Sequence, residues 1–329
     1  MAADWQFDSA LGQDWSVRMI GLGQDSEGPV DAALVRRSAG PRRSRAILYL
    51  HGFVDYFFQA HEATYFESLG YDFYALDLRK FGRALHPGQS PNYVTELAVY
   101  REEIDAAMAI IRSEENHETV VVLGHSTGGL IASLWANARY VGAVEPDSDV
   151  RVDGLILNSP WFGLNKPWYL RTVGTWLLDA VGRVAPRLPV GGLTRFYGEA
   201  LHKDTGGEWD YNLAWKPHEG FPVRAGWFRS IRAGHRQVLA GLHIGCPVVV
   251  LTSARSGDAE HAHPELLTTD SVLDVEQIRK GARRLGPDVT LIEIEGGAHD
   301  LALSPQPARQ EYFEAAGAWL TSKFGPVTD

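Results

Sequence analysis

The sequence is poor in cysteine and contains no long apolar run. Its single cysteine, Cys246, cannot form an intramolecular disulfide, which excludes the disulfide-rich secreted scaffolds. Cys246 lies in the apolar run 245–251 and is predicted to fill a buried strand position. No stretch approaches the roughly 18 apolar residues of a membrane-spanning helix, and the first residues lack the pattern of a signal peptide. We therefore expect a cytoplasmic protein with no integral membrane segment.

Basic residues are also too few for a nucleic-acid-binding protein. Lysine and arginine number 31 against 41 aspartates and glutamates, so the net charge is −10. Binding to phosphates needs a basic surface. The one local arginine cluster lies beside Gly40 and Pro41, which predicts a solvated turn. Its members are Arg36, Arg37, Arg42, Arg43 and Arg45. We expect no nucleic-acid partner, and the composition leaves the oligomeric state open.

The sequence has no internal repeat, but it alternates apolar runs with helical patterns. The runs predicted as strands are 15–22, 30–36, 45–50, 71–78, 119–123, 152–157, 247–251 and 289–294. The segments predicted as helices are 64–69, 100–113, 129–139 and 307–324. Continuous apolar runs separated by helices indicate the α/β fold class, with a doubly wound, mostly parallel sheet covered on both faces.

One stretch interrupts this alternation. A single α/β domain often has roughly 200–250 residues, so this chain of 329 residues carries a surplus. Residues 161–240 contain no clean strand, only helical patches at 169–184 and 228–239. We predict that 161–240 is a helical cap inserted into a core formed by 1–160 and 241–329.

A serine motif follows the most apolar predicted strand. Residues 124–128 read Gly-His-Ser-Thr-Gly, the pattern G-x-S-x-G, and an apolar helix pattern begins directly after them. In such a strand–turn–helix unit the serine adopts a strained conformation that exposes its hydroxyl, and the flanking glycines avoid collisions. The helix N-terminus adds partial positive charge where an oxyanion would form. We predict that Ser126 is a catalytic nucleophile.

An oxyanion hole needs two N–H donors. The predicted strand 45–50 ends in His51-Gly52-Phe53, upstream of the serine, where the second donor loop is expected. We predict that the backbone N–H groups of Phe53 and Thr127 are the donors. His51 is interpreted as a packing and hydrogen-bonding residue.

The general base is predicted to be His299. Hydrolases of this kind carry serine, acid and histidine in that order, and His299 follows the strand 289–294 in a glycine-rich loop. No other late histidine has that setting. His261 and His263 lack a further set of ligands, so we interpret them as exposed loop histidines and predict no metal site.

The acid has three candidates. The usual place, shortly after the strand 247–251, is occupied by Arg255. Asp274 begins a capping-box pattern with Gln277 and so has a structural task at a helix start. Asp270 lies in the loop above the sheet and is favoured, with Asp258 and Asp274 as alternatives. The acid would hold His299 in the correct tautomer.

Together, the motifs at 124–129, 51–53 and 297–300 resemble the α/β-hydrolase superfamily, and most closely its lysophospholipase and monoacylglycerol-lipase-like branch, often labelled serine aminopeptidase S33. The resemblance covers nearly the whole chain in order and spacing. It implies an α/β-hydrolase core with a cap inserted where 161–240 falls. In that group the acid lies in a segment much like 270–274, which implies Asp270. Arg255 is a departure from the pattern.

The expected activity is that of a serine esterase that forms an acyl-enzyme intermediate and needs no cofactor or metal. Aromatic residues in the predicted cap favour an apolar pocket for a small ester or acyl substrate, such as a short or medium acyl ester or a monoacylglycerol-like lipid. They are Trp161, Phe162, Trp168, Tyr169, Trp176, Trp209, Tyr211, Trp215, Trp227 and Phe228.

Two other functions stay open. An aminopeptidase or amidase of the same fold would need carboxylates in the cap to bind an amine. The candidates are Glu199, Asp204, Glu208 and Asp210. A non-enzymatic ligand-binding protein on the hydrolase fold is the other alternative, although the presence of both Ser126 and His299 argues against it. Dehalogenase chemistry is disfavoured because its nucleophile is an aspartate.

Overall fold

A nine-stranded sheet forms the centre of the protein. The computed structural model describes residues 4–37, 42–141, 149–164 and 175–326. Across the sheet the strands are β1 (Gln6–Phe7), β2 (Trp15–Asp25), β3 (Gly28–Arg37), β5 (Tyr71–Asp77), β4 (Arg45–Leu50), β6 (Thr119–His125), β7 (Gly154–Asn158), β10 (Val248–Ser253) and β11 (Val289–Ile294). The pairings from β1 to β5 are antiparallel, and those from β5 through β4 to β11 are parallel. The prediction of a doubly wound, mostly parallel sheet is confirmed.

Helices flank this sheet. In the described residues the α-helices are α1 (Ala60–Ser68), α2 (Tyr100–Ala109), α3 (Thr127–Val141), α4 (Thr175–Val184), α5 (Phe196–Leu201), α6 (Ala225–Ala240), α7 (Val275–Ala282) and α8 (Ala308–Phe324). Helix α2 continues as a π-helical turn, Ile110–Glu114. Short 3₁₀ turns occur at Gly82–Ala84, Leu97–Val99, Lys203–Thr205 and Leu301–Leu303. None of the helices in the described ranges is long and apolar enough to cross a membrane.

Both faces of the sheet are buried. Leu48 of β4 packs into an apolar cluster with side chains of α2, α3 and α7, whereas its neighbour Tyr49 packs into a second cluster with α1 and α8. Successive side chains of a strand point to opposite faces. A strand that is covered on both sides therefore carries the continuous apolar runs seen in the sequence.

Helix α1 begins four residues before the predicted helix 64–69. His61 and Glu62, at its start, are polar and do not fit an apolar pattern. Glu62 is nevertheless fully buried and accepts a hydrogen bond from the Tyr312 hydroxyl of α8 (2.7 Å). Burial raises the pKa of Glu62 well above its usual range. Because the first turn of α1 carries a buried polar residue, the apolar pattern of the sequence did not predict that turn.

The described residues between 161 and 240 add no strand to the main sheet. They contain α4, α5 and α6 and, contrary to the expectation of no strand, a short antiparallel pair, β8 (Pro189–Gly191) and β9 (Val223–Arg224). Of the predicted helical patch 169–184, residues 169–174 lie outside the described part. The division into a core of 1–160 and 241–329 and a cap of 161–240 stays a prediction.

Buried charges anchor the loop that follows β4. Asp77, at the end of β5, accepts hydrogen bonds from the Phe57 N–H (2.9 Å) and from Arg83 Nη1 (2.8 Å). Arg83 also donates to Asp8 Oδ2 (2.7 Å) and to the Phe57 carbonyl oxygen (3.0 Å). The three charged side chains are at most 5% exposed. The network therefore fixes residues 51–59 relative to β5.

Replacing Arg83 by methionine should lower the free energy of unfolding by about 3–5 kcal/mol, because Asp8 and Asp77 would remain buried without their cation. Urea unfolding measures the loss. Lys323→Met is the matched control: it removes a cation paired with Asp288 at the surface, and such pairs contribute at most about 1 kcal/mol. Equal losses in the two variants would contradict the assignment of Arg83 as an anchor.

Candidate active site

Ser126 lies in a tight turn between β6 and α3. Its φ is +52°, in the left-handed region that side chains other than glycine rarely adopt. A Cβ on Gly124 would lie 2.7 Å from the carbonyl oxygen of Gly128, and a Cβ on Gly128 would overlap the carbonyl oxygen of Leu50. The turn therefore packs the start of α3 directly against the end of β4, and glycine is required at both positions.

The fold brings Ser126, His299 and Asp270 into one hydrogen-bonded series. His299 Nε2 lies 3.0 Å from Ser126 Oγ, and His299 Nδ1 lies 3.1 Å from Asp270 Oδ2. The other carboxylate oxygen of Asp270 accepts the N–H groups of Val272 (3.0 Å) and Leu273 (2.7 Å). Asp270 is fully buried, and Ser126 and His299 are nearly so. These contacts fit an imidazole that carries its proton on Nδ1 and can accept one from the serine.

Asp270 reaches His299 from a loop that returns to the sheet. Arg255, at the position where the acid is usually found, points to the surface and pairs with Glu265 (2.7 Å). The Asp270 N–H donates to the Arg255 carbonyl oxygen (3.0 Å), and the Gly257 N–H donates to the carbonyl oxygen of Asp270 (2.7 Å). These two bonds place Asp270 beside the end of β10, although it is far from that strand in sequence.

The other two candidate acids have different partners. Asp258 is exposed, and its carboxylate contacts Nδ1 of His261 (2.8 Å). Asp274 caps α7 by accepting the N–H of Glu276 (3.0 Å), as expected. Gln277 reaches back to Asp274, but its side-chain amide donates to the carboxylate (3.2 Å), whereas in a capping box it would accept the backbone N–H of Asp274. Neither acid has a hydrogen bond to the general-base candidate.

Both predicted oxyanion donors lie close to Ser126. Thr127 is the next residue, and the loop that carries Phe53 approaches so closely that a Cβ on Gly52 would lie 3.3 Å from the Cβ of Ser126. Among the residues that the structure describes, neither the Phe53 N–H nor the Thr127 N–H donates to a protein acceptor. Both groups are thus available to an oxygen atom bound next to Ser126.

His51 makes the packing contacts expected of it. It is fully buried; its Nδ1 lies 2.8 Å from the Gly52 carbonyl oxygen, and its Nε2 accepts the N–H of Leu78 (3.0 Å). Burial lowers the pKa of His51, although Asp77 and Asp55 act in the opposite direction. The residue therefore ties the loop after β4 to the end of β5.

Asp300, to which the sequence patterns assigned no role, is buried and lies next to His299 on the loop after β11. Its Oδ1 accepts a hydrogen bond from Asn158 Nδ2 (2.8 Å) and its Oδ2 accepts one from Gln59 Nε2 (3.2 Å). Burial by itself would raise the pKa of Asp300, but attraction to His125 and Lys216 and these two hydrogen bonds lower it. A charged residue directly before the apolar run 301–303 was the available sequence signal.

Asp55, His125 and Asp300 are buried and present three potential metal-ligand atoms within 4.8 Å of one another. Lys216 Nζ, however, lies 2.6 Å from Asp55 Oδ1, so an ammonium group already balances these carboxylates. His261 and His263 lie in an exposed loop and belong to no group of three ligands among the described residues. The residues thus supply no argument for a metal cofactor.

Aromatic side chains from residues 209–227 pair with rings in and after the loop that follows β4. From one pair to the next the residue numbers rise in one segment and fall in the other, so the two segments lie side by side in opposite directions. They are Phe53 with Trp227 (4.1 Å between centroids), Tyr56 with Trp215 (5.0 Å), Phe58 with Tyr211 (5.0 Å) and His61 with Trp209 (4.5 Å). Four aromatic residues of the predicted cap therefore contact this loop and α1.

The remaining aromatics predicted for the cap differ in position. The Trp161 N–H donates to the Ser126 carbonyl oxygen (2.9 Å), and its ring lies 5.8 Å from that of Trp227. Phe162 is buried in the core, and Phe228 packs against the same cluster. Trp168, Tyr169 and the side chain of Trp176 lie outside the described part of the structure.

Comparison with solved structures supports the same fold. The monoacylglycerol lipase of Paleococcus ferrophilus is 19% identical, with 89% of this chain and 99% of that chain covered and a TM-score of 0.61. A soluble variant of monoglyceride lipase from Saccharomyces cerevisiae is 15% identical, with 93% and 96% covered and a TM-score of 0.64. A carboxylesterase from Nitrososphaera gargenis is 16% identical, with 93% and 100% covered and a TM-score of 0.53.

A search of curated protein sequences found no match. The family profile described as serine aminopeptidase, S33, matches residues 41–255, about two thirds of the chain. That range includes the loop after β4 and the turn of Ser126. The chain therefore belongs to the serine aminopeptidase S33 family of α/β hydrolases, as its motifs predicted.

Proposed function

We propose that the protein is a serine hydrolase that cleaves carboxylic esters with an apolar acyl group. One observation carries the proposal: Ser126, His299 and Asp270 form a hydrogen-bonded series beside two backbone N–H groups without protein acceptors. Acyl transfer requires a nucleophile, a base, an acid that orients the base, and donors for an oxyanion. Membership of a hydrolase family supports it.

In the proposed reaction, Ser126 Oγ attacks the ester carbonyl carbon while His299 Nε2 takes the hydroxyl proton. The N–H groups of Phe53 and Thr127 bind the oxyanion that develops. The C–O bond to the alcohol then breaks, and the alcohol leaves with the proton held by His299. Water repeats the sequence on the acyl-enzyme and releases the acid. Asp270 orients the imidazole and stabilises its cation without taking up its proton.

Three rings favour an apolar substrate. Phe53 follows Gly52, at which an added Cβ would lie 3.3 Å from the Cβ of Ser126. The backbone N–H of Trp161 donates to the Ser126 carbonyl oxygen, and the Trp227 ring stacks on Phe53 and lies close to Trp161. Apolar walls with a few convergent polar groups are typical of small-molecule sites. A short or medium acyl ester or a monoacylglycerol-like lipid suits such walls, in keeping with the lipases among the structural neighbours.

Aminopeptidase activity would need carboxylates that are free to bind a substrate amine. The four acids considered for this role each face a cation or histidine of the protein. The pairs are Glu199 with Arg195 (3.4 Å), Asp204 with His202 (3.7 Å), Glu208 with Arg309 (2.8 Å) and Asp210 with Lys203 (2.6 Å). This pairing favours ester over aminoacyl substrates.

Replacing Ser126 by alanine should lower hydrolysis of p-nitrophenyl esters by at least ~10³-fold, because no other group supplies the nucleophile. It should also abolish labelling by a fluorophosphonate probe, with the fold retained by circular dichroism. Ser133→Ala, in the helix that follows Ser126, should keep its labelling. In the wild type, esters from acetate to laurate should react faster than aminoacyl p-nitroanilides. Undiminished labelling of Ser126→Ala, or tight ligand binding without turnover, would overturn the proposal.

Replacing Asp270 by asparagine should reduce kcat for ester hydrolysis by about 10³–10⁴-fold, because His299 would lose the acceptor that holds its tautomer. Asp274→Asn keeps a helix cap, and Asp258→Asn changes an exposed loop, so both should retain activity within a few fold. Steady-state kinetics on the three variants decides the assignment. A comparable loss in either control would transfer the role of acid away from Asp270.

A further inference from the structure

Lys216 belongs to the predicted cap, and its ammonium contacts a buried polar cluster formed by Asp55, His125 and Asp300. Its ammonium lies 2.6 Å from Asp55 Oδ1, and its side chain is only 16% exposed, against 2% for that of Asp55. The rings of Phe58 and Tyr211 lie 5.6 and 5.7 Å from the ammonium. Burying a lysine and a carboxylate costs free energy unless the pair is well placed. Because a buried ion pair is weak evidence for stability, we looked for a function of this cation in the reaction.

The second carboxylate of this cluster belongs to Asp300, whose Oδ2 lies 4.0 Å from Nε2 of His125. The His125 ring in turn lies 4.9 Å from the ring of His299. His125 Nδ1 lies 3.3 Å from the carbonyl oxygen of Asn158, so the uncharged imidazole carries its proton on Nδ1 and turns Nε2 towards Asp300. Two carboxylates close to one imidazole would favour its protonation.

The charged and titratable groups that act on His125 come from three elements. Asp55 lies on the loop after β4, His299 and Asp300 lie on the loop after β11, and Lys216 comes from the segment before β9. Lys216 is the positive member of this set. Asp55 Oδ2 is buried and has no hydrogen-bond partner among the described residues, so the ammonium is the main compensation for that carboxylate.

We propose that Lys216 is a positioning residue for the reaction proposed above: its ammonium balances Asp55 and Asp300, so that His125 stays uncharged beside His299. The same ion pair joins the segment around residue 216 to the loop that carries Phe53. An imidazolium at His125 would repel the imidazolium that His299 must form during acyl transfer. With Lys216 in place, His299 gains and loses a proton during the reaction, whereas His125 stays uncharged.

Burial lowers the pKa of His125 and Asp300 raises it; His299 and Lys216 lower it, whereas Asp55 raises it. Loss of the lysine charge would therefore raise the pKa of His125. His125 would then become charged at higher pH. Because a charge on His125 opposes the cation that His299 must form during acyl transfer, the acidic limb of kcat/KM should move to higher pH.

The experiment compares wild-type protein with Lys216→Met and Lys216→Arg. Long-range ¹H–¹⁵N spectra, assigned with a His125→Gln variant, follow the protonation of His125 without requiring activity. In Lys216→Met, His125 should titrate roughly one pH unit or more higher than in the wild type. The acidic limb of p-nitrophenyl ester hydrolysis should move in the same direction. Lys216→Arg should leave both unchanged, since it keeps the charge.

A double variant separates charge from packing. Asp55→Asn combined with Lys216→Met removes one charge of each sign, so the His125 titration should return towards that of the wild type. Lys203→Met, which removes an exposed lysine from the same stretch, should change neither readout. If Lys216→Met does not fold, Lys216→Gln, which keeps a hydrogen-bond donor to Asp55 without the charge, replaces it.

An unchanged His125 titration in the folded uncharged variants would overturn the inference, as would a shift of equal size in Lys216→Arg. These outcomes differ from failure of the proposed function. In that case the wild type itself would show neither ester hydrolysis nor fluorophosphonate labelling, and the spectra would still decide the role of Lys216.

Discussion

The close approach of the turn after β6 to the end of β4 is the constraint on which the site depends. Gly128 leaves no room for a side chain next to the Leu50 carbonyl oxygen, and a Cβ on Gly52 would lie 3.3 Å from the Cβ of Ser126. The two strand ends are neighbours in the sheet, so their loops meet at one edge. Backbone packing therefore brings the turn of Ser126 and the start of α3 next to the loop that carries Phe53.

The loop after β4 lies between the sheet and residues 209–227, and it is bonded to both. Towards the sheet, Asp77 and Arg83 hold it through buried charges. Towards residues 209–227, it is held by ring pairs and by the ion pair of Asp55 with Lys216. Aromatic contacts supply apolar area, whereas the buried charges supply orientation, because a displaced ion pair leaves an uncompensated charge. Displacement of residues 209–227 would therefore alter the position of Phe53.

The sheet and the turn of Ser126 were predictable from local patterns, because strands buried on both faces are continuously apolar and the turn requires glycines at fixed spacing. Three features were not predictable in this way. Helix α1 begins with buried polar residues that meet α8, so no apolar period marks its start. Asp270 was favoured as the acid, but its contact with His299 depends on backbone hydrogen bonds that bring its loop back to Arg255. Asp300 and Lys216 come from segments that are far apart in sequence. Both act on His125, and no motif connects them.

By itself, the sequence determined the α/β class, the order of the strands along the chain and the residues at the turn of Ser126, since these follow from periodicity and backbone sterics. It also restricted the acid to three aspartates. Only the tertiary structure decided which of them contacts His299, where the rings of 209–227 pack and which buried charges surround His125. The physical reason is that such contacts join residues far apart in sequence, and their energies depend on distance and burial, which local patterns do not encode.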